Sequence, residues 1–311
     1  MIKQKKIKRW LIVVVLLVAV CAGIILHIFS LMMPSQAAER DALSNEDGGI
    51  VNIGGFDLWY KLLNADSLAT PIIVVAGGGG LSSDYMEESL RFLSDTNPIL
   101  FFDGRGCGRS QIKPELENYS ISISADEIEQ LRKHFFADRE IIIISHSFGG
   151  IIAMDYAVNH TDKLEKLILI SSMNANYKVT LSRTFFGAGF APKDQLLANE
   201  WYMENVDVFF GPYFENIEAK RILENTRASY AVSVHTGMPN HDLSEEIQTV
   251  TCPVLLLVGG EKEYPSTHIE ETQKLASLFP NSQLEQFSNS GHFLFAEEDD
   301  RFIQVVNVFL K

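Results

Sequence analysis

Cysteine is scarce: three in 311 residues (Cys21, Cys107 and Cys252). A disulfide framework is therefore excluded for a chain of this length, and their spacing fits no zinc pattern. Positive charge is also in short supply. Lys and Arg number 26 against 40 Asp and Glu, for a net charge of −14. A nucleic-acid binder needs a basic face to displace counterions from phosphates, so that class is excluded. No G-K-[ST] follows the glycine-rich stretch, which argues against a phosphate loop. There is no fixed-period repeat and no low-complexity tract. What is present is an ordinary apolar content of 46% with 21% charged residues, enough to build a core.

The basic residues are unevenly placed. Lys3, Lys5, Lys6, Lys8 and Arg9 crowd residues 1–9 without an acid among them. Residues 10–33 then run for 24 positions without a charge. As a helix they would span roughly 36 Å at about 1.5 Å per residue, enough to cross a bilayer core. This reads as one transmembrane helix, with residues 1–9 as a cytoplasmic tail and everything after Met33 outside. A cleaved signal peptide is the rival, because Ser35-Gln36-Ala37 resembles a small-x-small site, but the apolar run is longer than a signal core. Lipid modification at Cys21 fits less well, with bulky Val20 before it. Residues 34–49 are polar and read as a linker.

From residue 50 to 311, strand and helix patterns alternate. Short apolar runs at PIIVVA (71–76), PILFFD (98–103), IIII (141–144), Leu164–Ile170 and Val254–Val258 are those of strands buried on both faces. A hairpin is expected around Gly54-Gly55. A helix is expected over 124–136, with Ser124 as its cap and Glu127 completing a capping box. Alternation of this kind predicts an α/β fold with a mostly parallel sheet covered by helices on both faces. It breaks between about 173 and 250, an aromatic-rich stretch that reads as an inserted helical cap.

IIIISHSFGG (141–150) carries a chemical signal. A buried strand meets a helix through Ser145-His146-Ser147-Phe148-Gly149. A serine on so sharp a turn projects its hydroxyl from the sheet, and small neighbours two residues either side permit the turn. The N–H of Phe148 would then face a developing oxyanion. His146 should point away from the site. Ala76-Gly77-Gly78-Gly79-Gly80 follows the first buried strand, where glycines let backbone approach a substrate oxygen. His292, in NSGHFLFAEE, lies between the last strand and the last helix.

Together GGGG, D-x-R-G-x-G-x-S (103–110), S-x-S-x-G-G, G-E-x-E and S-G-H resemble the α/β-hydrolase fold. The 103–110 segment is most similar to the proline iminopeptidase-like branch of its serine peptidases. Three departures stand out: H-G-G-P-G becomes Ala76–Gly80, Ser145 replaces the first elbow glycine, and the acid is Glu263 rather than aspartate. The resemblance implies a triad of Ser147, Glu263 and His292, with Gly78 and Phe148 forming the oxyanion hole and no cofactor. Glu261 competes with Glu263 for the acid. Asp103 and Arg105 read as loop braces, and Cys107 and Cys252 as packed residues. His235 and His241 lack the acidic partner pattern of a metal site.

The implied activity is a membrane-anchored serine hydrolase acting on a small molecule or short peptide, with an aminopeptidase favoured. A carboxylic ester hydrolase is the alternative within that class. A non-catalytic binding protein on a hydrolase fold is the alternative outside it. An aminopeptidase needs a carboxylate for the substrate ammonium, and the cap offers Glu204 and then Glu200 among Trp201, Tyr202, Phe209 and Phe210.

Overall fold

The structure, a computed structural model, describes residues 48–78, 80–113, 118–178, 217–224, 226–227, 240–260, 262–263 and 268–311, with isolated positions at 23, 197, 200 and 204. The expected tail, membrane helix and most of the linker lie outside the described residues, as does most of the cap. Among the described residues, no helix is long and apolar enough to cross a membrane.

Among the described residues these strands and α-helices follow in order: β1 (Gly49–Ile53), β2 (Phe56–Leu63), β3 (Ile72–Val75), α1 (Asp84–Leu90), β4 (Ile99–Phe102), α2 (Ile121–Phe136), β5 (Ile141–His146), α3 (Gly149–Asn159), β6 (Leu164–Ile170), β7 (Asn176–Tyr177), α4 (Ile217–Glu224), β8 (His241–Asp242), β9 (Val254–Gly259), α5 (His268–Leu278), β10 (Ser282–Phe287), α6 (Leu294–Glu297) and α7 (Asp299–Leu310). Eight strands form one sheet in the order β1-β2-β4-β3-β5-β6-β9-β10. The β1–β2 hairpin and the β2–β4 pair are antiparallel, and every other pairing in this sheet is parallel. β7 and β8 pair separately as a short antiparallel ladder.

Successive residues of a strand point to opposite faces, and here each face has its own core. Ile73, Val75, Ile141, Ile143, Leu167 and Leu256 belong to one cluster, packed with Ile128 of α2, Ala153 of α3 and Leu275 of α5. Ile72, Val74, Ile142, Ile144, Ile168 and Leu257 belong to the other, with Met86 of α1, Ile222 of α4 and Phe302 of α7. A strand with two buried faces has no polar position to spare, which is why these segments read as unbroken apolar runs. Truncating one such residue, Ile143 for instance, to alanine would cost about 2–5 kcal/mol.

The helix expected to start at Ser124 begins one turn earlier. Ser120 is extended (φ −155°) and its side chain accepts the Ile123 N–H at 3.1 Å, so it is the cap. Ser124 lies inside the helix and donates to the Ser120 carbonyl at 3.1 Å. The capping-box reading is therefore corrected, and Glu127 is instead a buried partner of Arg105.

Candidate active site

In a mostly parallel sheet, the loops beyond the carboxyl ends of the strands converge on one edge. The candidate residues come from those loops: Ser147 after β5, Glu263 after β9 and His292 after β10.

Ser147 has φ +51°, a conformation that costs a non-glycine residue about 1–3 kcal/mol. Three backbone hydrogen bonds hold it there. Its N–H donates to the Ile170 carbonyl at 3.0 Å, and its carbonyl accepts from Gly150 at 3.0 Å and Met173 at 2.9 Å. The turn requires glycine at 149, where a Cβ would lie 2.4 Å from the Val75 carbonyl oxygen. Ser145, in place of the first elbow glycine, is fully buried and its hydroxyl donates to the Ile168 carbonyl at 3.3 Å. That bond satisfies the only polar group the replacement adds.

Glu263 is buried, with 3% of its surface exposed. Oε1 accepts from His292 Nδ1 at 2.7 Å, and Oε2 accepts from the Ser171 hydroxyl and the Gly259 N–H, each at 3.0 Å. Burial alone would raise its pKa, but the hydrogen bonds from His268 and His292 outweigh it and hold the carboxyl well below its ordinary range. The bond to Glu263 also fixes the His292 tautomer, with the proton on Nδ1. Glu261 lies outside the described residues.

His146 does not point away, contrary to expectation. It is buried and its ring centroid lies 4.7 Å from that of His292. Its Nε2 donates to the His292 carbonyl at 3.0 Å, so Nδ1 must be the acceptor, and Tyr85 donates its hydroxyl proton there at 2.9 Å. The Tyr85 oxygen in turn accepts the Gly77 N–H at 2.5 Å. Burial, then the neighbouring His292, keep His146 well below the usual histidine pKa. With both nitrogens engaged, it takes no proton and acts as a cross-link. The chain Gly77–Tyr85–His146–His292 ties the glycine loop, the elbow and the histidine loop together.

That loop is close to the nucleophile candidate. A Cβ on Gly77 would lie 2.8 Å from the Ser147 Cβ. Gly78 and Phe148 line one small cavity of about 40 Å³ with Gly77, Leu81 and Ile152. Phe148 sits at the start of α3 and is buried. Gly79 lies outside the described residues.

Several of the remaining expected residues have structural partners. Asp103 accepts from the Ser83 N–H at 2.7 Å and from Arg109 Nε at 2.8 Å, and Arg105 pairs with Glu127 at 2.8 Å. Both brace the loop after β4, and Arg105 also lines the cavity shared by Gly78 and Phe148. Burial pushes the Cys107 thiol up to about 12, so it holds no thiolate at neutral pH. Cys252 is core. His241 pairs with Asp155 at 2.6 Å. Glu204 and Glu200 are helical and exposed, and the cap residues around them lie outside the described residues.

One residue was missed altogether. His268, the first residue of α5, brings Nδ1 to 3.4 Å from Glu263 Oε1. Glu263, His268 and His292 thus cluster within 4.8 Å in the manner of a metal site. Glu263 Oε1 and His292 Nδ1 are, however, committed to one another by their hydrogen bond at 2.7 Å. Nothing periodic in the sequence marks His268.

Tyr85→Phe removes the hydroxyl that satisfies two buried groups, the Gly77 N–H and His146 Nδ1. The expected loss is about 2–4 kcal/mol, read as a lower midpoint of urea unfolding. An unchanged midpoint would mean the cross-link contributes nothing.

Comparison with known proteins agrees with this geometry. A family model described as alpha/beta hydrolase fold matches residues 70–299. The chain is 25% identical over 297 residues to the proline iminopeptidase of Saccharolobus solfataricus, covering 86% of this chain and 93% of that protein. It is 24% identical to the proline iminopeptidase of Thermoplasma volcanium, covering 86% and 98%. Among solved structures, a thermophilic esterase from Thermogutta terrifontis superposes with a TM-score of 0.65 at 20% identity, covering 85% of this chain and 97% of that one. The chain belongs to the α/β-hydrolase fold family, and the curated relatives named above, at 25% and 24% identity, are proline iminopeptidases.

Proposed function

We propose that this hydrolase is a membrane-anchored serine aminopeptidase that removes an N-terminal residue, proline first among the candidates. One observation carries the reading: a serine held at φ +51° on a strand-to-helix turn, cross-linked to a loop whose histidine is hydrogen-bonded to a buried carboxylate at 2.7 Å. Ser147 Oγ attacks the scissile carbonyl while His292 takes its proton. Glu263 steadies the resulting imidazolium. The Gly78 and Phe148 N–H groups hold the oxyanion. His292 then returns the proton to the leaving amine, which departs and leaves an ester on Ser147. Water, deprotonated by His292, hydrolyses that ester and restores the enzyme. No cofactor enters this sequence.

In this reading Glu204, with Glu200 beside it in the cap, receives the substrate ammonium. Residues 10–33 anchor the chain in the cell membrane, with residues 1–9 cytoplasmic and the catalytic domain outside. The alternative is a carboxylic ester hydrolase. It is favoured by Ala76–Gly80, which replaces the H-G-G-P-G of the peptidase branch.

The substrate test compares a prolyl arylamide, its N-acetylated twin and a short-chain p-nitrophenyl ester. Cleavage of the free amine and not its twin is expected, and Glu204→Gln should raise KM for the free amine only. Equal cleavage of both arylamides, or of the ester alone, would replace the aminopeptidase with the esterase. For topology, alkaline extraction should leave the chain in the membrane fraction, and protease added to intact cells should digest it. A soluble protein beginning after Ala37 would establish cleavage instead.

A further inference from the structure

His268 presents a proton-counting problem. Its Nε2 lies 2.7 Å from the carbonyl oxygen of Ser172, both buried. A carbonyl has no proton to give, so Nε2 must carry the hydrogen of that bond. In a neutral imidazole the other nitrogen, Nδ1, would then hold a bare lone pair. That nitrogen faces Glu263 Oε1 at 3.4 Å, and the carboxylate offers only lone pairs in return. Two buried acceptors aimed at one another, one of them anionic, repel in a medium that screens them poorly. A second proton on the ring removes the conflict and satisfies both ends.

We infer that His268 is an imidazolium locked between the Ser172 carbonyl and the Glu263 carboxylate, so that the acid serving His292 is shared between two histidines. His268 touches no reacting atom in this arrangement. It is a positioning residue that sets the charge His292 experiences, and this role rests on the triad reading proposed above.

The surroundings bear on the same point. The titratable groups facing His268 among the described residues are Glu263 after β9, His292 after β10, His146 on β5 and Glu271 on its own helix. Burial opposes a charge on His268, and so does its place in the first turn of α5, where a helix disfavours cations. The hydrogen bond and charge of Glu263, with the Ser172 carbonyl and Glu271, outweigh this, and its pKa lies above the ordinary histidine value. The rings of His268 and His292 are 5.5 Å apart between centroids. A fixed cation at that distance disfavours a second proton on His292 and partly neutralises the carboxylate that would stabilise one.

Two measurements on the full chain test this. Nitrogen NMR of histidine-labelled protein, with His268 assigned by its loss in His268→Gln, should show both ring nitrogens protonated at neutral pH. A neutral ring signature would overturn the proposal. The second measurement follows the rate of covalent reaction with a fluorophosphonate against pH, in the wild type and in His268→Gln, with His268→Asn as a second variant. Loss of the cation should move the acid limb up by about one pH unit. A purely structural role would lower the rate evenly and leave the limb in place, and that result would also overturn the proposal. A wild-type chain that does not react at all would instead sink the triad reading, and the NMR result would alone decide the state of His268.

Discussion

A carboxylate taken out of water is costly unless donors replace its hydration. Glu263 is such a group, and its donors come from separate parts of the chain: the Gly259 N–H at the end of β9, the Ser171 hydroxyl just past β6, His292 after β10 and His268 at the head of α5. Gly259 and His268 lie within a few residues of Glu263, but Ser171 and His292 are 92 and 29 residues away. The anion can be buried only when the β6–β9–β10 side of the sheet is already assembled with its parallel register. The site is thus a consequence of the topology rather than an addition to it.

The same logic extends across the sheet to the elbow. Ser147 leaves β5, the neighbour of β6, and its N–H is bonded to Ile170 at the end of that strand. The strained turn is held from one side by β6 and from the other by the close approach of Gly149 to Val75 of β3. His146 then spans the gap to the histidine loop. Rigid parallel strands set the distances, and short polar bridges between their loops set the orientations.

Much of this was legible in the sequence. Doubly buried strands leave unbroken apolar runs, and the elbow leaves small residues at fixed offsets from a serine, so β3 to β6, β9 and Ser147 could be read directly. The sequence pattern places the cap of α2 at Ser124, one turn too late, because the capping-box spacing to Glu127 is local and only the extended backbone at Ser120 marks the true cap. Tyr85, His146 and His268 carry no pattern at all. Their partners lie 61, 146 and 96 residues away, and a single polar contact over such separations has no period to detect. The expectation for His146 failed for that reason: local geometry at an elbow says nothing of a carbonyl brought in from the other end of the domain.

The central claim is that Ser147 is the atom that reacts, activated through His292 and Glu263. Peptide mass mapping after exposure to a fluorophosphonate tests it most directly. The account predicts one adduct, on the peptide containing Ser147, absent from the Ser147→Ala protein. An adduct mapped to any other residue, or equal labelling of Ser147→Ala, would contradict it.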